Sequence, residues 1–326
     1  MLKSLFRALA CIVAIGLAGP VAAQSDYPNR NITVIVPFAA GGPTDVIARI
    51  VGAHMQQTLG QLIIIQNILG AGGTTASTQA MRAAPDGYTL IMGHMGTHAA
   101  AVALFPNLAY KPDVDFEPIG MAAGTPVLIL GKKDFPPTNL KDFVAYVKAN
   151  ETKLNMAHAG VGSVSFTTCL LLNSLMGVKP TTIPFQGTGP AMNALVAGQV
   201  DYMCDQIVNV VPQINAGTIK GYAIGTAARN PALPNVPTAK EAGLPGFEAS
   251  AWNALFAPKG TPKPVLDKLS DALSKALDDE NTRKRLLDLG SVIPDKSGRG
   301  PQPLAALVKS EIARWTPIIK AAGPSN

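Results

Sequence analysis

The residues most ready for chemistry lie in Val36-Pro-Phe-Ala-Ala-Gly-Gly-Pro-Thr-Asp45, which follows an apolar run and opens a helix-like one. Gly41 and Gly42 permit positive φ and close approach of a ligand to the backbone. Thr44 stands where it can cap the helix while neighbouring N–H groups face outward. The helix dipole adds positive potential there, so the loop suits an anion. An ordinary strand-to-helix turn is the competing reading of the same residues. Asp45 is a base or a first-turn carboxylate, and its position favours the structural role. A second loop, His158-Ala-Gly-Val-Gly-Ser163, again stands between a strand-like and a helix-like run. It carries Gly160-x-Gly162, but Ser165 replaces the third glycine of a dinucleotide fingerprint. His94 and His98 flank Thr97 in a further polar stretch. With His158 they would form a three-His metal site, against which satisfied or ligand-facing imidazoles are the better reading. Asp205 ends an apolar run and is suited to a ligand ammonium or hydroxyl, or to capping a helix. Phe38 and Phe185 precede loops, where core packing competes with ligand contact. No GxSxG, HExxH or GxxxxGK[ST] occurs, so the common enzyme signatures fail.

Those loops need strands and helices to hold them. Ile32 to Phe38, Leu62 to Ile65 and Tyr88 to Met92 read as short apolar strands, separated by helices over Thr44–Leu59 and from the Gly70-Ala-Gly-Gly73 turn to about Ala84. Continuous apolar strands alternating with helices predict parallel sheets covered on both faces. Phe116 to Lys133 reads as a strand crossing between two lobes. A second set follows, with helices at 139–150, 163–176 and 190–197 and strands at 154–157, 181–185, 200–204 and 221–225. Phe247 to Pro258 is the return crossing, and helices at 264–277, 282–289 and 303–321 close the chain. The expectation is an α/β, two-lobed clamshell with two crossing strands: residues 24–123 and 252–326 in the first lobe, 124–251 in the second. Ligands of such sheets sit beyond strand carboxyl ends, here Ala39–Asp45, Gly93–His98, His158–Ser163, Gln186–Gly189 and Asp205–Asn209.

Lys3 and Arg7 precede an apolar run from Ala8 to Ala18 and a Val21-Ala22-Ala23 cleavage site, which together read as a secretory signal peptide over residues 1–23. The run is shorter than the roughly 20 residues of a membrane span. Cleavage removes two positive charges and no negative one, taking the formal net charge from +6 to +4. That mild excess, without Lys/Arg clusters interleaved with aromatics, gives no case for nucleic acid. Of the three cysteines, Cys169 and Cys204 remain. An exported location permits a disulfide between them, and two buried thiols are the alternative.

Tyr27-Pro-Asn-Arg-Asn-Ile-Thr-Val-Ile-Val-Pro-Phe-Ala-Ala-Gly-Gly-Pro-Thr-Asp45, with Ala48-Arg49, resembles the opening of the Bug family, periplasmic solute-binding receptors of tripartite tricarboxylate transporters. The likeness continues through Gly70-Ala-Gly-Gly73, Pro85-Asp-Gly-Tyr-Thr-Leu90, Gly160-Val-Gly-Ser163, Pro190 to Asp205 and Leu233-Pro-Asn-Val-Pro-Thr238, and it covers essentially the whole mature chain. The resemblance implies a type II-like Venus-flytrap fold that closes on a small carboxylate. It places the grip in the turns Ala39–Asp45 and Gly160–Ser163. The expected ligand-contacting set is Phe38, Ala39, Ala40, Gly42, Thr44, Asp45, His94, Thr97, Gly160, Val161, Gly162, Ser163, Gln186 and Asp205, with no catalytic residue, metal or cofactor. The expected partners are an aliphatic or aromatic mono- or dicarboxylate and membrane permease subunits, for a monomeric periplasmic protein. A hydrolase using His94, His98 or His158, and a ligand-sensing receptor, are the alternative functions. Family members usually show Asn-Arg-Pro where this chain has Asn67-Ile68-Leu69, and commonly a His where it has Phe166. A Phe166 facing the cleft would favour an apolar or aromatic acid.

Overall fold

The computed structural model describes residues 26–322; the expected signal peptide lies outside them. Among the described residues no helix is long and apolar enough to cross a membrane. The first lobe begins β1 (Ile32–Val36), α1 (Pro43–Leu59), β2 (Ile63–Asn67), α2 (Thr74–Met81), β3 (Thr89–His94) and a short α3 (Ala101–Leu104). Then β4 (Phe116–Lys132) crosses over. The second lobe holds α4 (Leu140–Asn150), β5 (Asn155–His158), α5 (Val164–Met176), β6 (Thr181–Pro184), α6 (Thr188–Val196), β7 (Tyr202–Gln206), α7 (Ile207–Asn215) and β8 (Ile219–Ile224). β9 (Ser250–Pro258) returns, followed by α8 (Lys263–Asp278), α9 (Glu280–Asp288) and α10 (Pro301–Ala322).

The strand order is β2-β1-β3-β9-β4-β7-β5-β6, with β8 also on β4. β1 pairs parallel with β2 and β3, as β5 does with β6 and β7. The two strands that cross between lobes run antiparallel to each other, β4 pairing with β9 from Phe116 to Pro126. Beyond that point β4 pairs with β7 from Val127 and with β8 from Leu128. One continuous strand therefore belongs to both lobes, and motion between them must bend β4 and β9 where the partner changes.

Alternation fixes which face is buried. Ile32, Val34 and Val36 of β1 pack with Ile47, Val51 and Met55 of α1, all nearly inaccessible to solvent. Burial of this kind contributes roughly 25 cal/mol per Å² of apolar surface. The last helix is tied down by a polar contact. Trp252 and Trp315 both donate their indole N–H to one oxygen of Glu311, at 3.3 and 3.1 Å.

Three expectations are corrected. Asp205–Asn209 is not a loop: β7 runs through Gln206 and α7 starts at Ile207. Gly93–His98 is not an open loop either, because β3 extends to His94 and a tight helical turn over Gly96–Ala100 follows at once. Cys169 and Cys204 form no disulfide. Both thiols are buried in the apolar core, and burial pushes the Cys204 thiol up.

Candidate functional site

The loop after β1 is braced before any ligand meets it. Gly42 is the N-cap of α1 but has no side chain to cap with, and Pro43 fills the first helical position. Asp45 supplies the missing acceptor by reaching back to the Gly41 N–H at 3.0 Å. Arg49, one turn on, grips both Asp45 oxygens at 2.9 Å, and Asn67 at the end of β2 donates to Asp45 at 3.0 Å and to the Phe38 carbonyl at 2.9 Å. These partners hold the Asp45 carboxyl below the usual range despite its burial, which opposes them. Asp45 is thus an ionised brace whose lone pairs are already occupied.

The loop after β5 is built on the same plan. Ser163 caps α5 by accepting from the Phe166 N–H at 3.1 Å, and its hydroxyl also pairs with Ser165 Oγ at 3.1 Å. Each loop is accompanied by a buried imidazole ending a strand. His94 Nδ1 accepts from the Gly96 N–H at 2.8 Å and the Thr97 N–H at 3.3 Å. His158 Nδ1 accepts from the Gly160 N–H at 3.0 Å. Accepting at Nδ1 fixes the proton on Nε2. Burial lowers His94 to about 3 and His158 to about 4, so both rings are neutral at physiological pH. The His94 ring stacks on Phe38 with centroids 5.0 Å apart.

These pieces close around a narrow inner chamber, lined from the first lobe by Phe38, Ala39, Gly42, Pro43, Thr44, Asp45 and His94, and from the second by Ala159, Ser163, Val164, Thr188 and Gln206. The first turns of α1, α5 and α6 all border it. Each helix start has backbone N–H groups without intrahelical partners and a positive dipole end. An outer cleft of about 260 Å³ shares Phe38 and Ala159 with the chamber and is otherwise lined by Gly70–Gly73, Gly160, Val161 and Pro184–Gln186. The lobes touch between the two: the Ala39 N–H donates to the Gln186 carbonyl at 3.2 Å. A β-carbon on Gly72 would overlap the Val161 carbonyl oxygen, so glycine is required where the two turns meet. A larger depression lies beside α2, but only one lobe lines it, and a ligand there would couple to no closure.

The chamber holds no cationic side chain. Its one carboxylate is saturated by Arg49, Asn67 and Gly41, and its imidazole is neutral. What it offers an anion is oriented N–H groups and hydroxyls in a nearly dry space. Burying a carboxylate without such partners costs several kcal/mol. The Ser163 hydroxyl is engaged by Phe166 and Ser165 rather than by an imidazole, so it is no activated nucleophile. Among the described residues no three His, Cys, Asp or Glu side chains converge in a metal-ready group.

The family model of the tripartite tricarboxylate transporter family receptor matches residues 47–323. The chain belongs to that receptor family. BugT of Bordetella pertussis is 31% identical over 320 residues, covering 96% of this chain and 95% of BugT. MatC of Rhodopseudomonas palustris, solved with bound malate, is 57% identical with a TM-score of 0.88, covering 90% of this receptor and 100% of MatC. Another R. palustris protein, solved with adipate, is 32% identical with a TM-score of 0.86, covering 91% of this receptor and 98% of that chain.

Within the receptor, Phe38, Ala39, Gly42, Thr44, Asp45, His94 and Ser163 of the expected contact set line the chamber. Gly160 and Val161 line the outer cleft instead, with the exposed Gln186, which contributes its carbonyl to lobe contact. Ala40 is exposed on the rim, and Gly162 packs its carbonyl against Gly96. Thr97 lies behind His94, its hydroxyl 2.9 Å from His98 Nδ1. His98 itself is sealed among Phe116, Tyr110 and Phe256. Asp205 is fully buried away from the chamber, its carboxylate taken by the Gln206 N–H and by Asn209. Phe166 is buried edge-on against His158, with centroids 5.0 Å apart, and does not line the chamber, which removes the ground for an aromatic preference. Pro43, Ala159, Val164, Thr188 and Gln206 also line the chamber but are outside the expected contact set, although all but Val164 fall within the strand-end segments read from the sequence. Thr188 directly precedes Gly-Pro at a helix start, a signal of the kind used for Thr44. Gln206 was hidden by ending β7 two residues early.

Proposed function

We propose that this receptor captures a short aliphatic dicarboxylate of the malate type between its lobes and hands it to membrane permease subunits, acting as a monomer in the periplasm. The observation that carries the reading is the convergence of three helix N-termini, one from the first lobe and two from the second, on a chamber with no free charge of either sign. Drawn in as it is here, the chamber measures about 10 Å³, room for about one water, so the lobes must part to admit a dicarboxylate. The neighbours solved with malate and with adipate support a dicarboxylate. The lobes divide as residues 24–123 with 252–326, and 124–251. One lobe captures the acid, and the second adds its amides only on closure, so ligand shifts the population toward the closed form that docks. Binding without turnover is the reading for a chamber whose hydroxyls and imidazole are not paired as nucleophile and base.

A melting screen of the ligand-stripped mature protein tests this against aliphatic, amino and aromatic acids. Ligand at about 100 times its Kd adds roughly 2.7 kcal/mol. A selective upward shift with short dicarboxylates is expected; a flat response across the panel contradicts the assignment.

A further inference from the structure

Gln206 ends β7 with its side chain on the chamber and only 3% of its surface exposed. Its Oε1 accepts from Thr125 Oγ1 at 2.7 Å and from Asn253 Nδ2 at 3.0 Å. Thr125 lies on β4 and Asn253 on β9, the two strands that cross between the lobes. Asn253 turns its amide nitrogen toward Gln206 because its Oδ1 accepts from Thr44 Oγ1 at 2.9 Å, from the start of α1. The hydrogen-bond order thus runs from Thr44 through Asn253 to Gln206, and it fixes which end of the Gln206 amide meets the strands. The Nε2 end has no protein partner among the described residues.

We infer that Gln206 is a specificity-determining residue of this receptor: its locked carboxamide donates from Nε2 to an acceptor on the ligand, selecting diacids with a hydroxyl, keto oxygen or hydrogen next to the carboxylate over their α-ammonium analogues. The inference rests on the dicarboxylate reading above and names what that site refuses. An α-ammonium taken into the chamber needs a negative partner to repay its desolvation, and the free acceptor left there, Thr44 Oγ1 with its hydrogen given to Asn253, is neutral. The Asp45 oxygens are consumed by Gly41, Arg49 and Asn67, and Asp205 is tied to Asn209 outside the chamber. Gln206 Nε2 and His94 Nε2 are donors, and an ammonium between them meets like partners. The hydroxyl of malate, by contrast, accepts from either.

Titration calorimetry on the ligand-stripped mature protein with L-malate, succinate and L-aspartate tests this in three forms: wild type, Gln206→Glu and Gln206→Met. Gln206→Met leaves the Thr125 and Asn253 donors unpaired and risks the fold. Gln206→Glu keeps an acceptor for both and retains the shape. Wild type is expected to prefer malate over aspartate by at least about 100-fold, a difference of roughly one or two hydrogen bonds to charged groups. Gln206→Glu is expected to weaken malate by about 100-fold and aspartate far less, narrowing the ratio by at least about tenfold, while the buried carboxylate lowers the ligand-free melting temperature without bearing on that ratio. A simple loss of packing would lower both ligands alike. Wild-type malate affinity in Gln206→Glu, or equal wild-type affinity for aspartate and malate, overturns the role of Gln206 alone. A wild type that binds none of the three acids overturns this role and the proposed function together.

Discussion

Gly72→Ala should separate folding from closure. Gly72 sits at φ +61° in the turn before α2, where an alanine costs about 1 kcal/mol of backbone strain. That strain is local to a surface turn. The larger effect is steric, because the new β-carbon would overlap the Val161 carbonyl of the opposite lobe and come within 3.2 Å of the Gly162 Cα. Both are backbone atoms of a turn anchored by α5, so the conflict is relieved by parting the lobes. Parting leaves the α1 loop and His94 on the ligand but withdraws the α5 start. Losing two charge-assisted hydrogen bonds at about 1.5–3 kcal/mol each comes to roughly 3–6 kcal/mol, or a Kd weaker by about 150- to 20,000-fold. The ligand-free melting temperature should fall by only a few degrees. Calorimetry with malate reads the affinity, and small-angle scattering with and without malate reads the shape. A variant that binds within threefold of wild type and contracts on adding malate would refute the claim that these turns must meet for closure.

Two further outcomes follow from individual side chains. Ser163→Ala removes the α5 cap at about 1 kcal/mol of stability and should weaken malate by roughly five- to thirtyfold; unchanged affinity in the titration would leave Ser163 a cap and nothing more. Asp205 has its pKa raised by burial to about 7, so its ionised form is disfavoured in the fold. Between about pH 4 and 7 the unfolded chain ionises this group while the folded chain keeps it protonated, and stability falls as pH rises through that window. Asp205→Asn should therefore melt higher than wild type at pH 8, by the equivalent of a few kcal/mol, with the gap closing toward pH 4. An equal gap at pH 5 and pH 8 would show that Asp205 does not titrate as its burial demands.

Much of this architecture was legible because it is local. Apolar strand runs, glycine turns and amphipathic helices placed both crossing strands and the alternating elements except α7, whose start was read as a loop. The two anion-ready loops were legible for the same reason, each pairing a strand end with Gly-rich backbone and a helix start within ten positions, though the cap expected of Thr44 is absent: Gly42 is the N-cap, and Thr44 donates to Asn253 instead. What escaped depends on partners far along the chain. Gln206 and Asp205 are adjacent, and in a strand adjacent side chains face opposite ways. Ending β7 at Cys204 put the carboxylate in the cleft, whereas the strand turns Gln206 there and Asp205 into the core. His98 looked as available as His94, yet one faces a cluster of aromatic rings and the other the chamber. The Asp45 brace needs Asn67, 22 residues away, and the Gln206 lock needs Thr125 and Asn253, 81 and 47 away. No short-range pattern announces such contacts.

The most direct test of the central claim is calorimetric titration of the ligand-stripped mature receptor with L-malate, with a matched run against an L-malate diester lacking both charges. The account predicts saturable one-to-one binding of the diacid and none of the diester, because the chamber's donors are arranged for carboxylate oxygens. Binding of the diester as tight as the diacid, or no heat from the diacid at any concentration, would contradict a receptor built on helix N-termini that close over a carboxylate.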